Sequence, residues 1–189
     1  MAILIIGVVL WGVIHTFPSW APARRAALAE ELGEKKWRGL FSLATLATLL
    51  LMILGWRLSL GAGFVYAPPA WGWHLNNLLM LIAFVLLGAG HMKSNLRRVI
   101  RHPMLTAVVL WSVAHLLANG DLRSVVLFGG LGVWAVAAQL LANRRDGAWE
   151  KPPASPVKKD LIAVAAGLVV FVVVALVHPW IFGVSPFPV

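Results

Sequence analysis

Residues 161–182 read LIAVAAGLVVFVVVALVHPWIF, without one Lys, Arg, Asp or Glu. A helix of that length rises about 33 Å, enough to cross the ~30 Å hydrocarbon layer of a bilayer. The run is continuously apolar and does not alternate every second residue, which excludes a strand of a membrane barrel. Working back along the chain, five more apolar runs of similar kind follow, at about residues 2–17, 39–56, 74–92, 102–118 and 122–143. Charges and prolines separate them. The first and fourth are the shortest, and interfacial residues or a thinned bilayer must complete them.

Composition agrees with this reading. Of the 189 residues, 60% are hydrophobic and 12% charged, against roughly 45–50% and 25% in soluble domains. A chain this short cannot wrap so much apolar surface in polar residues. The expected fold class is an all-α integral membrane protein, a single transmembrane domain over residues 1–189 built as a bundle of about six helices. Cysteine is absent, which excludes disulfides, thiolate catalysis, iron–sulfur ligation and Cys-based zinc sites.

The net charge of +9 is explained by topology. All but Arg57 and Arg123 of the 16 lysines and arginines fall in alternate connections: between runs one and two, three and four, and five and six. The positive-inside rule assigns those connections to the cytoplasm, so both termini are expected on the non-cytoplasmic side of a bacterial inner membrane. The partner implied is the lipid bilayer, not nucleic acid. The first run lacks a basic n-region and reads as a retained helix, not a cleaved signal peptide. Trp20, Trp37, Trp56, Trp71, Trp73, Trp149 and Trp180 fall near span ends, where indole rings favour the headgroup region. Trp11, Trp111 and Trp134 fall inside spans and are expected to pack between helices. Residues 22–33 read as a small interfacial helix, with proline in its first turn and glycine at its end. Gly120 is expected to end run four and Asp121 to cap run five.

Ionisable groups inside a membrane are costly and point to function. Here they are histidines. His15, His91 and His102 lie toward the cytoplasmic ends of their runs, and His74, His115 and His178 toward the outer ends. His74 and His178 suit the interface, and His102 precedes Pro103 at a helix start. His15 and His115 lie one to two turns inside apolar sequence, where a neutral imidazole can ligate a metal or move a proton. No HExxH, P-loop, GxSxG or dinucleotide-binding motif is present; Gly129, Gly130 and Gly132 read as small residues for close helix packing.

The segment RHPMLTAVVLWSVAHLLANGD, from Arg101 to Asp121, resembles the signature of the NnrU family. So do LGEKKWRGLFSLATL, from Leu32 to Leu46, and APPAWGW, from Ala67 to Trp73. The resemblance implies a bacterial membrane protein of nitric oxide and denitrification metabolism, with a nitric oxide or nitrite reductase system as a possible partner. It also implies kinship to the plant and cyanobacterial zeta-carotene isomerase, which carries b-type haem on axial histidines. By motif, those ligands fall on His15 and His115; Ser112 stands where the isomerase has a thiol. The two histidines differ in depth, His115 lying about 19 Å beyond the start of its run at ~1.5 Å per residue, whereas axial nitrogens stand about 4 Å apart across an iron. His91 and His102 are therefore same-leaflet alternatives, and Arg24, Arg25 and Arg101 are candidates for the haem propionates. Two other classes stay open. The RHP segment also resembles the isoprenylcysteine methyltransferases, implying S-adenosylmethionine, and the small-residue helices equally suit a non-catalytic accessory of a reductase complex.

Overall fold

The computed structural model describes residues 1–187. Its helices are α1 (Ala2–Trp20), α2 (Pro22–Leu32), α3 (Glu34–Leu58), α4 (Gly72–His91), α5 (Pro103–Ala118), α6 (Leu122–Asp146) and α7 (Val157–Phe182), with a 3-10 turn at Asn95–Arg98. No strand is present among the described residues; one isolated antiparallel bridge joins Phe64 to Asp121. Several helices outrun their apolar stretches. α3 starts at Glu34 where hydropathy places a span from 39, and α1 continues through Pro18 to Trp20. Hydropathy marks only the part of a helix that lipid tails cover, while charged turns at the headgroups stay helical. Pro18 falls in the last turn, so the hydrogen bond it removes is one of few remaining.

Five helices, α1, α3, α4, α6 and α7, are long and apolar enough to cross a membrane. α5 has 16 residues and spans about 24 Å, so the expected count of about six rests on a helix shorter than the ~30 Å layer. Large apolar side chains lie open on the outside, such as Leu43 at 63%, Val133 at 72% and Leu176 at 65% exposure. A water-soluble monomer does not carry such a surface; lipid solvates it.

The helices contact in the order α3–α1–α6–α5–α4–α7, with α2 lying against α3. Neighbours run antiparallel except α1 and α6. Val8 meets Gly130 and Ser19 accepts a hydrogen bond from Arg145, so numbers rise together along that pair. Small residues set the close crossings. A Cβ on Gly55 would sit 2.8 Å from Leu4 Cβ, and one on Gly132 2.9 Å from Ser112 Cβ, closer than side chains pack. In lipid, where helix association gains nothing from hiding apolar surface, such backbone approach supplies the dispersion contact. Buried clusters are correspondingly small: Leu4, Val8 and Met52 between α1 and α3, and Ala83, Leu86 and Ala107 between α4 and α5.

α2 begins with Pro22 and ends at Gly33, whose φ of +80° favours glycine. At the other end Asp121 accepts from the Ser124 amide and hydroxyl, capping α6. Gly120 has no positive φ; its role is steric. A Cβ there would lie 3.0 Å from the Tyr66 carbonyl carbon, because the segment after α3 folds across this turn. Val65 N–H donates to Gly120 O at 2.8 Å and Leu122 N–H to Gly63 O at 3.0 Å. Tyr66 Oη shares its single proton between the Leu116 carbonyl and Asn119 O, the latter at 2.9 Å, covering carbonyls at the end of α5.

Candidate functional site

Every connection rich in Lys and Arg lies at one end of the bundle, hereafter the basic end; the Tyr66 segment lies at the other. Near the basic end, His15 occupies the face of α1 that meets α3 and α6. Its Nδ1 lies 2.9 Å from Trp11 O. A carbonyl only accepts, so Nδ1 carries the proton and Nε2 the lone pair. The ring stacks on Trp11 at 4.0 Å and meets Trp134 and Phe41 edge-on at 5.4 and 5.7 Å. Trp11 and Trp134 themselves form an edge contact, as mid-span tryptophans that pack between helices should. Their Nε1–H groups are buried without an acceptor among the described residues. From Phe41 the aromatic contacts continue through Trp37, over which the Arg25 guanidinium lies at 6.0 Å.

His115 repeats this arrangement toward the opposite end. Its Nδ1 lies 2.9 Å from Trp111 O, leaving Nε2 with the lone pair. The ring stacks on Phe128 at 4.4 Å, and Trp111 meets Phe128 edge-on at 4.8 Å. Phe128 belongs to a π-wound segment, Val125–Gly129, inside α6. Such local unwinding turns a side chain out of the regular helical register and recurs at functional sites. Ser112 Oγ donates to the Phe128 carbonyl within this segment, and Gly132 leaves room for the serine. Ser112 thus fastens α5 to α6.

Beyond Phe128 stands Trp56, with the Arg123 guanidinium 4.3 Å over its ring. Arg123 Nε donates to Asp121 at 3.2 Å, and Nη1 is buried without an acceptor among the described residues. Arg123 is a site candidate that the charge pattern passed over, although one of only two cations away from the basic end is itself a signal.

The other expected residues are placed apart. His15 packs on Trp134 and His115 on Phe128, six residues apart on α6 and therefore on the order of 9 Å along the bundle. An iron shared by two axial imidazoles needs about 4 Å. His102 Nε2 lies 2.9 Å from Asn143 Oδ1, nine residues beyond Trp134 and about 13 Å away along α6. His91 ends α4, which in the packing order is separated from α1 by α6 and α5. Its Nδ1 also lies 2.9 Å from an i−4 carbonyl, Leu87 O. His74 is exposed, and His178 Nδ1 bonds to Val184 O at 2.7 Å. Among the described residues no three His, Cys, Asp or Glu side chains converge on a common metal position.

Of the expected propionate partners, Arg24 is exposed. Arg25 is ion-paired to Glu34 at 2.7 Å, which also accepts from Arg38. Arg101 donates to Gly147 O at 2.9 Å.

These residues fit b-type haem in one respect and not in another. Each of His15 and His115 offers a lone-pair nitrogen oriented by a backbone carbonyl, the usual support of a ligating imidazole, among flat apolar side chains with an arginine beyond. The structure does not bring the two to one iron; each location offers a single imidazole.

The family model described as NnrU protein matches residues 3–186. No curated protein and no solved structure matches the chain.

Proposed function

This chain belongs to the NnrU family, and we propose that it is a multi-pass inner-membrane protein that binds b-type haem through a bundle histidine in nitric oxide or denitrification-related redox metabolism. The observation that carries the reading is the pair of aromatic-walled imidazoles, His15 and His115, each with Nδ1 held by its own helix and Nε2 left to ligate. When bound, the iron would supply electron transfer or diatomic-ligand chemistry. The residues of this chain supply the rest. Trp11 and Phe41, or Phe128 and Trp111, exclude water; Arg25 toward the basic end, or Arg123 toward the other, offers a guanidinium to a carboxylate.

In the same reading α5 completes six crossings, the basic end faces the cytoplasm, both termini lie outside, and a nitric oxide or nitrite reductase system is the partner. The charge distribution supports this orientation. Because the chain has no cysteine, single cysteines placed in the loops report sidedness to an impermeant maleimide without background.

The deciding measurement is the absorption spectrum of detergent-purified protein, oxidised and then reduced, with a pyridine haemochrome assay. A stoichiometric b-type spectrum is expected. His15→Ala and His115→Ala, made separately, should divide into one variant that loses haem and one that retains it. A colourless protein after haem supplementation overturns the reading, and methyl transfer and support of a reductase complex become the activities to assay.

A further inference from the structure

α4 and α7 cross antiparallel near the basic end, and the crossing is tight. A Cβ on Gly167 would lie 2.6 Å from Val85 Cα, and one on Gly88 3.0 Å from the Ala163 carbonyl. Beside this crossing the two surfaces part into a groove of about 280 Å³, walled by Phe84, Leu87 and His91 on one side and Ala166, Gly167 and Val170 on the other. Its wall is apolar except at His91, which marks the level where the groove meets the polar end of the bundle. Ala166 and Val170 are exposed on the flank of α7, so the groove opens sideways, where lipid tails lie.

Directly above this level the structure gathers charge. Asp160, in the first turn of α7, accepts from the Asn95 amide and from Asn95 Nδ2, both at 2.6 Å. Asn95 Nδ2 also donates to Ser155 O at 2.8 Å, and Ser155 N–H to Asn95 Oδ1 at 2.9 Å. This clamp joins the segment that carries Lys93, Arg97 and Arg98 to the first turn of α7, which carries Lys158 and Lys159. Asp160 is the only carboxylate in those two segments, and Asn95 already occupies both its oxygens. Arg98 Nε is buried without an acceptor among the described residues. Lys93, Arg97, Lys158 and Lys159 are exposed and Arg98 is half-buried, so the two segments bring five cations to this end of the bundle with one carboxylate between them.

The vertical spacing joins the two features. Ala166 to Val170 lie six to ten residues inward from Asp160, about 9–15 Å along α7. That is the offset between a lipid phosphate and the upper part of its acyl chain. From this we propose that the α4–α7 groove is a binding site for one anionic glycerophospholipid of the adjoining leaflet. Its phosphate meets Lys93, Arg97, Arg98, Lys158 and Lys159, and one acyl chain lies along Phe84, Leu87, Ala166 and Val170. A soluble anion would use the rim and leave the groove idle. A zwitterionic lipid would fill the groove without answering the charge. Only an anionic lipid uses both.

The test is lipid retention, read by native mass spectrometry of purified full-length protein after exchange into detergent with defined phosphatidylglycerol or phosphatidylcholine. One tightly retained phosphatidylglycerol is expected, undisplaced by inorganic phosphate. Each cation near a membrane surface is worth about fivefold in affinity, so Lys158→Gln with Lys159→Gln should weaken retention about 25-fold. Ala166→Trp, at an exposed position, should fill the groove and abolish retention with the rim intact. Circular dichroism and thermal midpoints of the variants establish that they remain folded. Equal retention of both lipids, or retention unchanged in Ala166→Trp, overturns the proposal and leaves an ordinary lipid annulus. Displacement by phosphate also overturns it and leaves a soluble-anion site.

Discussion

Replacing Gly132 with alanine should destabilise the native protein and stabilise a protein in which Ser112 is glycine. A Cβ at residue 132 would lie 2.9 Å from Ser112 Cβ, with Ser112 Oγ nearer still and fixed on the Phe128 carbonyl. A two-atom side chain has no slack to yield, so α5 and α6 must part, at an overpacking cost of about 2 kcal/mol. Alanine recovers about 1 kcal/mol over glycine in helix propensity, so the net destabilisation is about 1 kcal/mol.

Ser112→Gly alone loses one interhelical hydrogen bond and one favourable helix residue, about 2 kcal/mol together. In that background the obstacle is gone and only the propensity gain remains, so Gly132→Ala should stabilise by about 1 kcal/mol. The coupling between the sites is then about 2 kcal/mol, well above the ~0.5 kcal/mol scatter of independent sites. Reversible denaturation in mixed micelles, followed by tryptophan fluorescence, measures all four corners of the cycle. Additivity within that scatter would refute the claim that Ser112 and Gly132 form the α5–α6 contact that positions Phe128 against His115.

Asn95→Ala should free the linker between α6 and α7 and destabilise the protein by about 2 kcal/mol, because it removes hydrogen bonds to a charged acceptor. Limited proteolysis between residues 147 and 156 should accelerate, and unchanged cleavage would count against the clamp. Burial, and then the negative charge of Asp121, raise the Tyr66 pKa above its ordinary value near 10. A raised folded-state pKa favours the protonated phenol, so the contribution is complete below about pH 10 and is lost as pH climbs through the folded value. Hydrogen exchange in residues 59–71 should therefore quicken in strong alkali, and Tyr66→Phe should exchange faster throughout without that alkaline step. Arg123→Gln removes a guanidinium from the Trp56 ring and from Asp121. It should cost about 1 kcal/mol, and this penalty should shrink in a Trp56→Leu background.

Much of the architecture is legible because it is a local property of the chain. Residues 161–182 and four companions are apolar over lengths that suit a bilayer, a fifth companion is shorter, and the charged connections between them alternate in a way that defines one basic end. Proline and glycine mark α2, and Asp121 caps α6, because capping involves only near neighbours in sequence. The candidate imidazoles are legible too, since an ionisable group inside an apolar run stands out without any partner. Even the different depths of His15 and His115 follow from helix rise and direction.

What sequence could not supply is who stands beside whom. Phe128 as the platform under His115, Arg123 over Trp56, the fold of residues 59–71 across Gly120, and the meeting of Asn95 with Asp160 each join residues distant along the chain. Leucine-rich surfaces are interchangeable in lipid, so hydropathy does not rank neighbours. The order α3–α1–α6–α5–α4–α7 is decided instead by steric fit, where Gly55, Gly132 and Gly167 let backbones approach and single hydroxyls and carboxylates find acceptors or donors across the gap. The apolar runs determined that this protein enters a membrane. Only the tertiary packing decided which histidine has which aromatic wall, because that depends on ångström-scale complementarity between helices far apart in the chain.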